Sequence, residues 1–494
     1  MLKELRKTKF YGGTSDDIHL PTETTFEGGR RINIFDNPGT IGASLALMIE
    51  TEATAVVTDN VFWGFEASDG NMYFFGDTGK IYKRTEATSV WTNVYTDANG
   101  TIIGADEYNG YLYWATATKL SRKPFPGLSN WSDVSHDWQT LTTAVWHPMI
   151  VQSIYLLIGN KNTLATVDDT GTFTASGTAD VTLGALPSGY EINTLLKFGD
   201  DVLAGGGFSL TQLVYGSTWP GFYEKGFLAR WDMASSAWNS IDEVADNGVT
   251  AMITFENVAI VFAGYLGNIY AYDGSNISRI KNIIADYQQR PDESESYFVI
   301  PGGVAHYKNR VIFTGVSDNV YSLGRIKEGY PLALCPEFQI EDPQNISELC
   351  ALVSTGDSFF VTHDVSYGDV PIYITGSELC AFGRIYLTVI GNPEANKTFL
   401  ESAIGYHVSY PGNQGTAAIS LVALESIDDP SSSFVIIGDE IYNEIDYRKY
   451  TRQYKFESRI TQFWITIYPG TYNGDLVNLF VDSFYVKWNE QEKL

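Results

Sequence analysis

Along residues 61–394 the apolar positions fall in short runs, each closed by a turn rich in Gly, Asn or Asp, and no long stretch follows the helical period. One unit recurs: a polar turn, a strand of alternating aromatic and aliphatic residues, a second turn and a second strand. It reads DGNMYFFGDTGKIYKR (69–84), NGYLYWATATKLSRK (109–123), QSIYLLIGNKNTLATV (152–167), DDVLAGGGFSLTQLV (200–214), ENVAIVFAGYLGNIYAY (256–272), KNRVIFTGVSDNVYSL (308–323) and, more loosely, GDSFFVTHDVSYGDVPIYIT (356–375). Anchored on Gly70, Gly110, Ser153, Asp201, Asn257, Asn309 and Asp357, the repeats are spaced roughly 40 to 56 residues apart, the range of propeller blades. A further apolar segment precedes most units (TIIGADEY, AVWHPMIV, INTLLKF, VTAMITF, GGVAHY), and a Trp-centred one follows several, around Trp91, Trp131 and Trp238. That makes four strands per unit. A single four-stranded sheet cannot cover both its faces, whereas sheets stacked radially bury each face against a neighbour.

Beyond residue 395 the unit stops and longer alternating strands take over, as in FLESAIGYHVSYP, TAAISLVALES and KFESRITQFWITIYP, with turns at 411–412, 428–430 and 469–470. The pattern predicts an all-β protein: a β-propeller of about seven blades, or six, over 61–394, and a C-terminal antiparallel β-sandwich over 395–494. Residues 1–60 fit neither pattern. They are expected to form an extended arm, with the stretch from Leu45 to Thr58 able to return and complete the last blade.

Composition narrows the function. Lys and Arg number 32 against 59 Asp and Glu, a net charge of −27, which repels nucleic-acid phosphates and anionic lipid. The clearest basic cluster is Lys3, Arg6, Lys7 and Lys9, with Arg30 and Arg31 further on, and it reads as a solvated tail or as an assembly contact to an acidic partner. Three cysteines, Cys335, Cys350 and Cys380, without a CxxC pair indicate neither a disulfide framework nor a cysteine zinc site. No stretch reads as a secretion signal or a membrane span.

Catalytic patterns are missing from the sequence. Six scattered histidines offer no metal-binding spacing, and GDTGKI (76–81) is too short for a phosphate loop and carries Ile where Ser or Thr would hold magnesium. The string around Ser317 lacks the second Gly of a nucleophile elbow. A propeller glycosidase needs an acid and a base across one bond; Asp77, Gly79 and Trp91 echo only part of a sialidase Asp box, and no arginine triad stands out. Acidic turns at Asp97–Asn99, Asp168–Asp169, Asp200–Asp201 and Asp428–Asp429 complete no calcium loop, and turn chemistry accounts for them. The reading is therefore non-enzymatic, with no cofactor and no metal.

The opening YGGTSDDIHLPTETTFEGGRRINIFDNPGTIGAS, followed by DGNMYFFGDTGKIYKRTEATSVWTNVY, resembles the start of β-propeller virion proteins of tailed bacteriophages, sharply over about the first 100 residues and in architecture beyond. The resemblance implies a structural part of the virion tail, a nozzle or conduit made in the host cytoplasm. Such a part assembles as a homo-oligomeric ring, such as a hexamer, between portal or adaptor proteins and fibres, with DNA as passing cargo. No catalytic residue comes with it. Two other expectations remain beside it: a host-surface or glycan-binding adaptor, with Trp464 or Tyr472 as a stacking surface, and a propeller glycoside hydrolase.

Overall fold

The computed structural model describes residues 2–11, 13–14, 25–26, 28–126, 131–209, 223–264, 267–283, 299–314, 319–340, 349–363, 372–380, 382–388, 397–408, 417–424, 433–441, 448–458, 462–472 and 475–490. Among these, helix is confined to Thr51–Thr54 and one 3-10 turn, Trp131–Asp133, and no helix is long and apolar enough to cross a membrane. The rest is antiparallel sheet and turn.

Seven sheets follow one another as blades. Their innermost strands are Val61–Glu66, Gly104–Tyr108, Met149–Gln152, Tyr190–Phe198, Val249–Phe255, Val304–Tyr307 and Leu349–Ser354. Each touches the next, and the seventh touches the first, so the ring is closed. This is a seven-bladed β-propeller.

The hydrophobic pattern changes with radius for a physical reason. Second strands are covered on both faces by neighbouring blades, so Met72–Gly76 (MYFFG) is buried at every position, as are Arg310–Thr314 and Phe359–His363. Outer strands meet solvent, and Val90–Thr96 accordingly mixes buried and exposed positions. The hairpin joining the first two strands of blade 2 turns at Asn109 and Gly110 (φ 45° and 77°), and that of blade 5 at Glu256 and Asn257 (φ 48° and 65°), the paired positive φ values that let a two-residue turn follow strand twist.

Blade 7 takes its outer strand from the other end of the chain. Leu45–Ile49 pairs antiparallel with Ile372–Leu379, Met48 opposite Ile374. The seam between blades 7 and 1 is aromatic, with the Phe360 ring 5.9 Å from Phe74 and 6.4 Å from Trp91, and the Trp91 indole N–H donates to Glu50 at 3.2 Å.

The sandwich has two sheets. One orders Leu2–Thr8, Leu479–Glu490, Lys397–Val408 and Arg448–Ser458; the other orders Ser433–Ile441, Ala418–Leu424, Gln462–Tyr468, Gly383–Thr388 and Gly28–Arg30. Between them lie Leu5, Phe399, Ile404, Phe484 and Trp488 against Ile385, Leu387, Ile419, Phe463 and Ile465. Sandwich strands thus begin at Gly383, ahead of the expected residue 395, and two of them come from the amino terminus. The expected turns at 411–412 and 428–430 lie outside the described residues.

Candidate functional site

The basic residues at the amino terminus do not form a free arm. Leu2–Thr8 pairs along its whole length with Leu479–Glu490, Gly13–Thr14 joins the outer strand of blade 6 beside Leu334, Gly28–Arg30 borders the second sandwich sheet, and Leu45–Ile49 closes blade 7. One strap of chain therefore contributes strands to four sheets.

Each predicted contact residue has a different place in this weave. Lys7 is fully buried opposite Phe484, which removes it from any intermolecular contact, whereas Arg6 and Lys9 are exposed. Lys3 stands opposite Trp488, and its side chain lies outside the described set. Arg30, half-buried, is paired in register with Arg384 on the other sheet. The Arg31 Nε donates to Gln339 Oε1 at 3.1 Å, and its guanidinium lies 4.9 Å over the Phe382 ring. The two arginines thus belong to the junction between blade 6 and the sandwich, on a different sheet from Lys3 to Lys9.

That junction holds a charged network which the sequence reading missed. Arg310 and Glu337, each with a side chain 1% exposed, form a two-pronged ion pair of 2.5 and 2.9 Å. Asn33 Nδ2 donates to Glu337 at 2.8 Å and to Asp36 at 2.9 Å, Arg310 reaches Asp36 at 3.3 Å, and the Ser322 hydroxyl donates to Glu337. Phe35 and Tyr307 cover the guanidinium at 5.2 and 4.9 Å. Neighbouring carboxylates hold Arg310 in its charged form against the cost of burial. Asn33, Phe35 and Asp36 come from the strap, so the network completes itself only when the strap is seated.

On the outward face of the first sandwich sheet the registers set out a grid. Across the three strands run Glu4, Lys487 and Glu401, then Arg6, Tyr485 and Ala403, then Thr8, Ser483 and Gly405. Small residues in the last two rows leave a depression of about 250 Å³ lined by Arg6, Thr8, Ala403, Ser483, Phe484 and Tyr485. Burial, with Glu4 and Glu401 close by, raises the Tyr485 phenol, whose hydroxyl donates to Glu4.

Other candidates resolve into structural roles. Asp97, with a fully buried side chain, accepts from the Trp114 indole at 2.7 Å and from Asn99, with His136 Nε2 at 3.1 Å. Asp168 caps its own turn through the backbone N–H groups of Thr170 and Thr172, and Asp201 pairs with Arg230 at 2.5 Å. Asp428 and Asp429 lie outside the described residues. No group of three or more His, Cys, Asp or Glu side chains converges among the described residues. Trp464 is buried, 9% exposed, with the Arg384 guanidinium 4.8 Å over its ring; the side chain of Tyr472 is outside the described set.

The propeller shares in the acidic balance, residues 61–394 carrying 37 Asp and Glu against 18 Lys and Arg. The innermost strands bear Glu66, Asp106, Glu107 and Glu191 against one lysine, Lys197. Asp106 lies deep among protein atoms although part of its surface stays open, and burial, reinforced by Glu107, pushes its carboxyl up to about 7. The folded protein therefore keeps a proton there that the unfolded chain releases near pH 4, and this contribution to stability fades as pH rises through 7. Asp106→Asn is expected to melt a few degrees above the wild type near pH 8 and together with it near pH 4. Comparing the two proteins at each pH isolates Asp106 from buried His147, whose lowered pKa acts in the opposite direction, costing stability as pH falls below about 6.5. Equal melting temperatures at both pH values would refute the assignment.

No protein-family model matches the chain, and no curated protein is similar enough to count as a relative. Among solved structures it is similar to the WD40 β-propeller domain of Doa1, at 12% identity over 68% of this chain and 98% of that one, with a TM-score of 0.45. It is also similar to U3-55K, at 9% identity over 67% and 98% with a TM-score of 0.46, and to the computationally designed Ika8 protein, at 12% over 74% and 99% with a TM-score of 0.40. The likeness concerns the fold alone, and the architecture rests on the closed ring of strands described above.

Proposed function

We propose that this chain is a non-enzymatic structural component of a tailed-bacteriophage virion, a tail nozzle or conduit subunit that assembles into a ring through which DNA passes. The observation that carries the reading is the strap. By lending strands to both sandwich sheets and to blades 6 and 7, it makes propeller and sandwich a single stiff block, as a part under load requires. The resemblance of the first 100 residues to tail-associated propeller proteins supports the same role. So does the acidic propeller, since a negative wall repels DNA phosphates and lets the duplex slide.

Light scattering of the purified full-length chain, with negative-stain images of the eluted species, tests the proposal. A ring of several copies around a central hole is the expected result, closed rings being the usual outcome of repeated head-to-tail contacts. A strict monomer that also fails to join purified tails would refute it.

A further inference from the structure

A sheet edge left open pairs with whatever strand meets it, so proteins guard their edges with charge, brevity or cover. Five of the seven blades are guarded in this way. The outermost strands of blades 2, 4 and 5, Ser135–Thr140 (SHDWQT), Ser240–Val244 (SIDEV) and Ile277–Asn282 (ISRIKN), carry charged residues. That of blade 3, Phe173–Thr174, is two residues long, and that of blade 6 is bordered by Gly13–Thr14. The outermost strands of blades 7 and 1, Leu45–Ile49 (LALMI) and Val90–Thr96 (VWTNVYT), hold no charged residue, and no described strand borders them. The Glu50 N–H donates to the Ile372 carbonyl and Met48 stands opposite Ile374, so the alternation of the ladder turns the backbone groups of Leu47 and Ile49 outward.

These two edges are neighbours, because the turn Thr51–Thr54 packs on Val90–Thr96 and the Trp91 indole N–H donates to Glu50. Together they hold three of the seven large apolar side chains exposed among the described residues, Met48 at 44%, Ile49 at 48% and Val90 at 46%. The exposed carboxylates nearest in sequence, Glu52 and Glu86, lie outside both strands, and Glu86 is held by Arg84 at 2.5 Å. Charge decides what covers such a seam. A basic partner is drawn to the acidic turns elsewhere on the propeller. A second copy of this chain brings the same net charge of −27, and its approach costs least where no carboxylate faces another or loses its water.

We propose that the uncharged seam of blades 7 and 1 is the surface through which one copy of this chain binds the next, an inference that rests on the ring reading above. In a closed ring the seam is one side of a head-to-tail contact, so each copy buries it once.

The test is light scattering of the full-length wild type, Ile49→Glu and Val90→Glu over a concentration series, with a melting curve for each. Both substitutions fall on exposed side chains, so melting is expected to stay unchanged. The concentration for half-assembly should rise at least ~10-fold, because a carboxylate then loses water against a like-charged partner. The two variants lie on different strands, so a folding defect in one leaves the other to decide. Ile241→Glu, on the exposed edge of blade 4, should assemble as the wild type does. If assembly occurs only on purified tails, incorporation of each variant is the readout. Seam variants that assemble as well as the wild type overturn the inference and leave the ring reading standing, and so does an equal loss in Ile241→Glu, which marks a general effect of charge. A wild type that stays monomeric and does not join tails removes the ring reading itself, and the seam contact with it.

Discussion

Deletion of residues 1–50 is expected to disorder blade 7 and the sandwich together while blades 1 to 5 stay folded. The deletion removes an edge strand from each sandwich sheet and the outer strand of blade 7. It also withdraws Leu5, Phe10, Phe26, Ile32, Ile34, Phe35, Ile41 and Leu47 from the interior, all buried. At about 1.5–3 kcal/mol for each large apolar side chain buried, the loss exceeds the ~5–15 kcal/mol that stabilises an ordinary domain. Blades 1 to 5 lie between Val61 and Asn282 and share no sheet with these segments, blade 1 losing the contacts of Trp91 and Arg84 to Glu50. Limited proteolysis followed by mass spectrometry should therefore find cleavage spread through residues 349–490 and protection over 61–282. A variant as resistant as the wild type over its whole length would show that the strap is dispensable, as a free docking arm would be.

Arg310→Ala should be the most damaging single substitution at the junction, costing about 3–5 kcal/mol, because it leaves the Glu337 carboxylate buried without its partner. Burial already pushes Glu337 up, and Arg310 is the largest influence opposing that. Without Arg310 the carboxyl is expected to hold its proton in the folded state. Its pKa then lies above the unfolded value, so the stability of the variant falls further as pH rises and part of the loss is recovered in acid. Paired replacement by apolar residues, Arg310→Met with Glu337→Leu, should restore most of the loss, since two desolvated charges are exchanged for ordinary packing. Urea unfolding, read by release of the strap to protease, distinguishes these outcomes. A single variant as stable as the wild type would mean that the network contributes little to seating the strap. The Asn33 amide would remain unsatisfied toward Glu337 in the double variant, so recovery is expected to be incomplete.

Blade architecture was legible because its determinants are local. The run MYFFG announces a strand covered on both faces, Asn109-Gly110 announces a turn with two positive φ angles, and their recurrence at blade spacing implies radial stacking. The stretch from Leu45 to Thr58 was only a candidate for closing the last blade, and the pairing of Leu45–Ile49 with Ile372–Leu379 is what decides it. The rest of the amino terminus misled. LKELRKT carries a lysine at an inward position, so its alternation disappears and it reads as a charged tail, although Lys7 ends fully buried. Trp464 invited a stacking role that its cover by Arg384 removes, and the depression beside Arg6 depends on three strands of which no two are adjacent in the chain.

From the sequence alone came the all-β class, the repeat, the longer strands of the sandwich and the sign of the overall charge, since each depends on residue type and short-range spacing. Tertiary structure decided which strands border which. Leu2–Thr8 finds its partner at the opposite end of the chain, Arg310 meets Asp36 and Glu337 meets Asn33 across more than half its length, and Arg6 is set beside Tyr485 and Ala403. No periodicity encodes such pairings, because they arise from the order in which covered sheet edges and buried faces are satisfied once the whole chain has collapsed.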